Sequence, residues 1–369
     1  MRVFGSWAVA LGVTVGLASP VLAGQTPPAK PLDVRTSDPS AAIKAAAEEA
    51  EKAEALRASW KVGPTPWGDP DLRGYWLTAT YTPLERPREL GHKAVYTPDE
   101  ALAAFKKAVE ADSGNNAAVV HYDWKEYGMD AWQSPVRPNP RTSLIVDPPD
   151  GRRPPLTEEA RTRQAAARAA LGGRVPEASV QTIPSLYTRC ITGNNAGPML
   201  RGGNPGSDQA SAAAGVTAEI QIFQSPGYVV LITQSNNDAR IIPLDGKPHL
   251  PPQVRNYLGD SRGRWEGTTL VVETTNYNDA SPRFHGGGAT SGLRLTERFT
   301  LVDPNTLHYE FTLDDPATWT RPWTALSPLP RVEPPLYEFA CHEHNYGVMN
   351  VAKGAQVREA EASAKKESR

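Results

Sequence analysis

From about residue 219 onward the chain reads as short extended runs divided by turn residues, and this pattern limits the fold more than any other feature. The runs are 219–224, 228–233, 239–244, 269–275, 293–301, 306–313 and 336–341. Between them stand turn formers: Ser225, Pro226 and Gly227; Asn236, Asn237 and Asp238; Asp245 and Gly246; Asp303, Pro304 and Asn305. No helical pattern is interleaved with them, so the runs cannot be the βαβ units of a parallel sheet. The expectation is a mainly β protein, an antiparallel β-barrel or sandwich, with a few peripheral helices.

The helices are expected upstream. Residues 40–59 are rich in Ala, Glu and Lys and poor in large apolar side chains, which reads as a solvated surface helix or linker. Thr97, Pro98 and Glu100 form a capping box that opens a helix to about residue 112. A third helix starts at Thr157 and is closed by Gly172 and Gly173. The first strand signal is 74–81, and 141–148 is a short apolar strand.

The N-terminus has the form of an export signal. Arg2 precedes an apolar run, 4–18, too short to span a membrane, and Val21 and Ala23 supply small residues for cleavage after Ala23. Position 24 is Gly rather than Cys, which argues against a lipid anchor. The organisation expected is therefore a signal peptide (1–23), a linker and exposed helix (24–63), one β-rich domain with helical insertions (64–354) and a polar tail (355–369). The destination is the periplasm or the exterior, with no membrane span. In that oxidising setting the two cysteines, Cys190 and Cys341, are expected to be bonded. The bond would close a loop of about 150 residues and contribute roughly 5 kcal/mol by chain entropy. A catalytic thiol is the competing reading.

With 39 basic and 41 acidic residues the net charge is −2, which excludes a dedicated nucleic-acid binder. No G-x-S-x-G, G-x-G-x-x-G or G-x-x-x-x-G-K-[ST] motif occurs, which disfavours serine esterases, dinucleotide oxidoreductases and P-loop enzymes. No cofactor and no bound metal are expected.

Several phrases carry a family likeness: Gly74-Tyr75-Trp76, RTSLIVDPPDG at 141–151, DARIIPLDG at 238–246, GDSRGRWEG at 259–267 and DPATWTRPW at 315–323. Together they resemble an uncharacterised family of exported bacterial β-rich proteins over about residues 64–354. The resemblance implies export and a β-rich domain and carries over no activity. Gly74-Tyr75-Trp76 at a first strand also resembles the opening of lipocalins, which implies a lipocalin-like barrel.

Candidate chemistry concentrates where polar residues stand on strand ends and turns. If 336–341 continues as a strand, His342 and His344 share one face, suited to acid/base work, to substrate contact or to a metal. Asp238 and Arg240 are expected to share a face beside Asn237, one orienting the other or a substrate group. Glu310 lies on the polar face of 308–314, opposite the apolar face of Tyr309, Phe311 and Leu313. A disulfide would bring Arg189 next to His342, because bonded cysteines hold their Cα atoms about 4.4–6.8 Å apart. The catalytic candidates are thus His342, His344, Asp238 and Glu310. The substrate-binding candidates are Arg240, Arg189, Asn237, Tyr346 and Trp323. Aromatic side chains at Trp124, Tyr127, Trp132, Trp319 and Trp323 either fill a core or form a ligand platform.

The leading expectation is a cofactor-independent periplasmic enzyme, a lyase, isomerase or hydrolase, using acid/base chemistry on a small organic substrate. The alternatives are a lipocalin-like binding protein for an apolar or aromatic ligand and a metal-dependent hydrolase using His342 and His344.

Overall fold

A computed structural model describes residues 39–114, 137–171, 186, 189–192, 197–199, 219–234, 237–281, 289–332, 336, 338–343 and 345–367. The expected signal segment 1–23, Trp124, Tyr127, Trp132, most of the Gly-rich stretch 193–214 and His344 lie outside the described residues.

Alternating apolar and polar side chains build ten strands. They are β1 (Gly74–Leu77), β2 (Ile145–Asp147), β3 (Glu219–Ser225), β4 (Tyr228–Thr233), β5 (Ala239–Pro243), β6 (Asp260–Glu266), β7 (Thr269–Thr275), β8 (Arg294–Asp303), β9 (Thr306–Asp314) and β10 (Trp323–Val332). The hydrogen-bonded order is β5-β4-β3-β1-β10-β9-β8-β7-β6, with β2 joined to β10. Every pairing is antiparallel. Two meanders, β3–β5 and β6–β10, are thus joined through β1.

Nine strands lie on this path, so alternation leaves its two ends, β5 and β6, running the same way. A parallel step requires a crossover rather than a tight turn, and residues 244–259 supply it. The ends meet through side chains and not through a ladder. A Cβ on Gly263 of β6 would stand 2.7 Å from Ile242 Cγ2 of β5 and 2.6 Å from Leu244 Cδ2. The sheet is therefore curled like an open barrel, with a seam at β5/β6. Gly263→Val is expected to lower stability by about 1–3 kcal/mol through overpacking of this seam, read from the urea midpoint.

The crossover is pinned rather than loose. Asn276 Nδ2 donates to the carbonyls of Leu250, Pro251 and Val254 at 2.9, 3.1 and 3.1 Å. His249 sits between Asp260 Oδ2 (2.9 Å) and Glu273 Oε1 (3.1 Å).

The core lies inside the curl. Leu295, Phe299 and Leu301 of β8, Tyr309, Phe311 and Leu313 of β9, and Trp323, Ala325 and Leu329 of β10 face it, with Trp76, Ile220, Ile222 and Leu231 from the other half. Rings run continuously across it, Phe299 to Tyr309 (5.1 Å), Tyr309 to Phe311 (5.5 Å), Phe311 to Trp323 (6.0 Å) and Trp323 to Trp319 (5.6 Å).

Three expectations change. β6 is a strand over residues that were not among the expected runs. β10, the most connected strand, was hidden by Pro328 and Pro330, since proline lacks the ladder donor. Its backbone explains the tolerance: Leu326 N donates to Leu144 O on the side away from β9, and residues 328 and 330 point their nitrogens the same way. There β2 has ended and β1 has not begun. Conversely, 338–342 is not a strand. His342 therefore stands on no strand face, and His344 lies outside the described residues.

Helices α1 (Pro39–Arg57), α2 (Pro98–Gly114), α3 (Glu158–Leu171) and α4 (Tyr346–Glu367) surround the sheet. None is long and apolar enough to cross a membrane among the described residues. The capping box of α2 is reciprocal, with Thr97 N donating to Glu100 Oε2 (2.9 Å) and Glu100 N to Thr97 Oγ1 (3.3 Å). The surface helix α1 is anchored, because Arg57 Nε donates to the buried Asp303 at the β8–β9 turn (3.0 Å). Residues 355–367, read as a tail, continue α4.

Where α1 approaches β9, burial pushes His308 down to about 4, assisted by Arg57 and Arg141 and opposed by Asp303 and Glu54. The folded state thus refuses a proton that the unfolded state takes near pH 6.5. Stability is complete above that pH and falls as pH drops from about 6.5 to 4, by roughly 2–3 kcal/mol. His308→Gln should flatten that part of a denaturation-versus-pH curve.

Candidate functional site

Three buried polar side chains meet in the interior, at the end of the sheet where β5 and β8 begin. Arg240 is the second residue of β5, and alternation with Ile242 turns it inward. Glu297 alternates with Leu295, Phe299 and Leu301 on the core face of β8 and is fully buried. Tyr309 stands beside Phe299 on β9.

Arg240 grips Glu297 with both terminal nitrogens, Nη1 to Oε2 at 2.5 Å and Nη2 to Oε1 at 2.9 Å. The Tyr309 hydroxyl donates to the same Oε1 at 2.7 Å and accepts from the Met199 amide at 2.9 Å. Burial acts against the Arg240 charge, but the Glu297 carboxylate outweighs it and holds the guanidinium above its ordinary range. Burial and the same carboxylate push the Tyr309 phenol well up, so it remains a neutral donor. The cluster is therefore a compensated ion pair with an attached phenol, in surroundings that are otherwise apolar and aromatic.

A second group of residues assembles at the same end. Cys190 and Cys341 form a disulfide with a Cα–Cα distance of 5.7 Å across a sequence separation of 151. Asn345 Nδ2 donates to Cys190 Sγ at 3.2 Å. The turn before β5 is clasped from both sides. Asn237 Nδ2 donates to Phe339 O (3.3 Å) and Phe339 N donates to Asn237 Oδ1 (3.4 Å), while Thr192 Oγ1 donates to Asp238 Oδ2 (2.8 Å). Cys190 and Asn237 both have left-handed backbones, φ 55° and 52°. Asn tolerates this region; Cys is seldom found there. Segments 189–192 and 338–343 thus close over the start of β5, and Met199 reaches the buried phenol below.

The structure brings Asn237, Asp238, Cys190 and Cys341 together and, by direct chain linkage, Arg189 and His342. Both Arg189 and His342 are exposed. Tyr346 opens α4 and is 58% exposed. Arg240 is turned into the interior, where Glu297 occupies its guanidinium. Glu310 lies on the outer face of β9, with its carboxylate 3.8 Å from Arg298 across the ladder. It takes no part in the interior cluster, because its strand turns Tyr309 and Phe311 inward. Trp323 is fully buried between Phe311 and Trp319, as a core ring. Among the described residues no three His, Cys, Asp or Glu side chains are grouped to hold a metal ion.

Glu297 and Tyr309 were missed as site residues. The signal was present in β8: in Leu295, Glu297, Phe299 and Leu301, one charged residue interrupts an apolar face. Comparisons with protein families, with curated proteins and with solved structures each found no match.

Proposed function

We propose that this chain is an exported, cofactor-independent enzyme acting on a small organic substrate by acid/base chemistry, as a lyase, isomerase or hydrolase. The observation that carries the reading is the Arg240–Glu297–Tyr309 cluster inside the sheet. A buried ion pair is often no more stabilising than well-packed apolar residues of the same volume. A carboxylate, a guanidinium and a neutral phenol held in mutual contact away from water are instead the parts of a proton-transfer site. In this reading Glu297 takes the proton, Arg240 orients it and balances charge, and Tyr309 supplies a neutral hydrogen bond. Asn237, Asp238, Arg189, His342 and Tyr346 belong to the approach at the disulfide end, where they contact substrate. The disulfide is compatible with export and with cleavage after Ala23.

A screen of purified protein against neutral carbonyl, hydroxy and ester compounds tests this. On the substrate found, Glu297→Gln is expected to reduce kcat by about 10²–10⁴-fold, with folding checked by circular dichroism. Full turnover in both Glu297→Gln and Tyr309→Phe ends the assignment.

The second reading is a lipocalin-like binding protein for an apolar or aromatic ligand. Two observations favour it: the continuous aromatic interior, and the position of His92, His249, His308 and His342 outside the hydrophobic core. It predicts a ligand recovered unchanged after prolonged incubation.

A further inference from the structure

Ser327 is fully buried on β10, directly opposite Tyr309 in the β9 ladder. Paired residues point to the same face of a sheet, so the Ser327 hydroxyl enters the core beside the Tyr309 ring. Among the described residues its Oγ has no hydrogen-bond partner. Other hydroxyls of this sheet are satisfied across their ladders, Ser261 with Thr274 and Thr312 with Thr324, each at 2.8 Å. Ser327 is denied that solution because the Tyr309 hydroxyl, at the far end of its ring, is committed to Glu297 and Met199. A buried hydroxyl left unbonded carries its full desolvation cost. Native interiors retain such groups where a ligand, a water or a reacting atom completes them.

The charge balance of the neighbouring cluster narrows what that ligand is. Arg240 and Glu297 cancel, and Tyr309 is neutral. An anionic ligand would have to compete with Glu297 for the guanidinium and leave a buried carboxylate unpaired, a loss of about a hundredfold or more in affinity. A neutral proton donor meets no such obstacle. When its X–H bond breaks, the electron pair stays on X and the proton passes to Glu297. The freed Arg240 charge then faces the substrate anion, so net charge in the interior is unchanged and no oxidant or reductant is needed.

We infer that the core beside Tyr309 binds the reacting end of an uncharged aromatic or apolar carbonyl or hydroxy compound, whose polar oxygen is held by the Ser327 hydroxyl. This rests on the reading of Arg240, Glu297 and Tyr309 as the reactive centre. The rings of Phe299 and Phe311, which flank Tyr309, supply the apolar contact.

The test compares acetophenone with benzoate, which share a ring and differ in charge, by saturation-transfer NMR and tryptophan fluorescence titration on wild type and Ser327→Ala. The expected result is binding of acetophenone, at least tenfold weaker binding of benzoate, and a tenfold or greater loss for acetophenone in Ser327→Ala with Tm unchanged or raised. Equal binding of the two compounds, no binding of either, or unchanged acetophenone affinity in Ser327→Ala overturns the inference. The last result would mean that Ser327 holds only water. Binding that follows the expected pattern without turnover of any compound leaves the inference standing and removes the enzymatic reading. Turnover that survives Ser327→Ala with unchanged KM removes the inference alone.

Discussion

Arg240→Met is expected to lower the free energy of unfolding by about 3–5 kcal/mol, the largest effect of any single substitution considered. The side chain it removes is buried and bonded twice to Glu297, which is itself fully buried. Glu297 would keep one partner, the Tyr309 hydroxyl, and would otherwise be a carboxylate stranded in an aromatic core. The pair also has an architectural role. Arg240 belongs to β5, the free end of the sheet, and Glu297 to β8, in the opposite meander. Their bond ties the unladdered end across the interior to the far wall. The double substitution Arg240→Met/Glu297→Leu removes both charges and should recover most of the loss. Urea denaturation of the two variants distinguishes the outcomes. A double variant as unstable as the single one would show that packing, and not charge, sets the cost.

The second large effect concerns the disulfide. Replacing Cys190 and Cys341 by serine is expected to lower stability by up to about 5 kcal/mol, because the bond closes a very long loop and entropy grows with the logarithm of its length. The sequence separation is 151 residues. A loss well below this value, in urea melts of oxidised protein and the double serine variant, would mean that Asn237–Phe339 and Thr192–Asp238 already hold the two segments in place. The serine variant also tests the approach to the interior, since Arg189 and His342 owe their proximity to this bond. A substrate that contacts them should show a raised KM in the variant, with kcat changed less.

Much of the sheet was legible because its meanders are local. A strand such as 228–233, bounded by Ser225, Pro226 and Gly227 on one side and Asn236 to Asp238 on the other, needs no information from elsewhere. The capping box at Thr97 and the turn at Asp303 to Asn305 are equally self-contained. β10 was not legible because its prolines are tolerated only through the gap between β1 and β2, a fact about neighbours rather than about the strand. The site was half legible for a similar reason. The approach of Arg189 and His342 could be argued from covalent linkage through two cysteines. The pairing of Arg240 with Glu297 could not, because it depends on a curl that sets β5 opposite β8. Alternation does mark Glu297 as a charged residue set between Leu295 and Phe299 on an apolar face, and reading β8 for that interruption finds it without coordinates. Ser327 has no comparable mark, since a lone serine on a core face is common.

The seam between β5 and β6 has a consequence for how the chain can be cut. No ladder joins these two strands, so a protease that nicks the crossover at 244–259 severs the backbone without removing a single strand pairing. Both fragments would stay joined, because β1 is hydrogen-bonded to β3 on one side and to β10 on the other. The short first strand is therefore a clasp between two halves that are continuous in sequence only through the crossover; a nicked protein should leave a gel-filtration column as one body and, because Cys190 and Cys341 lie in different fragments, separate only on denaturation with a reductant.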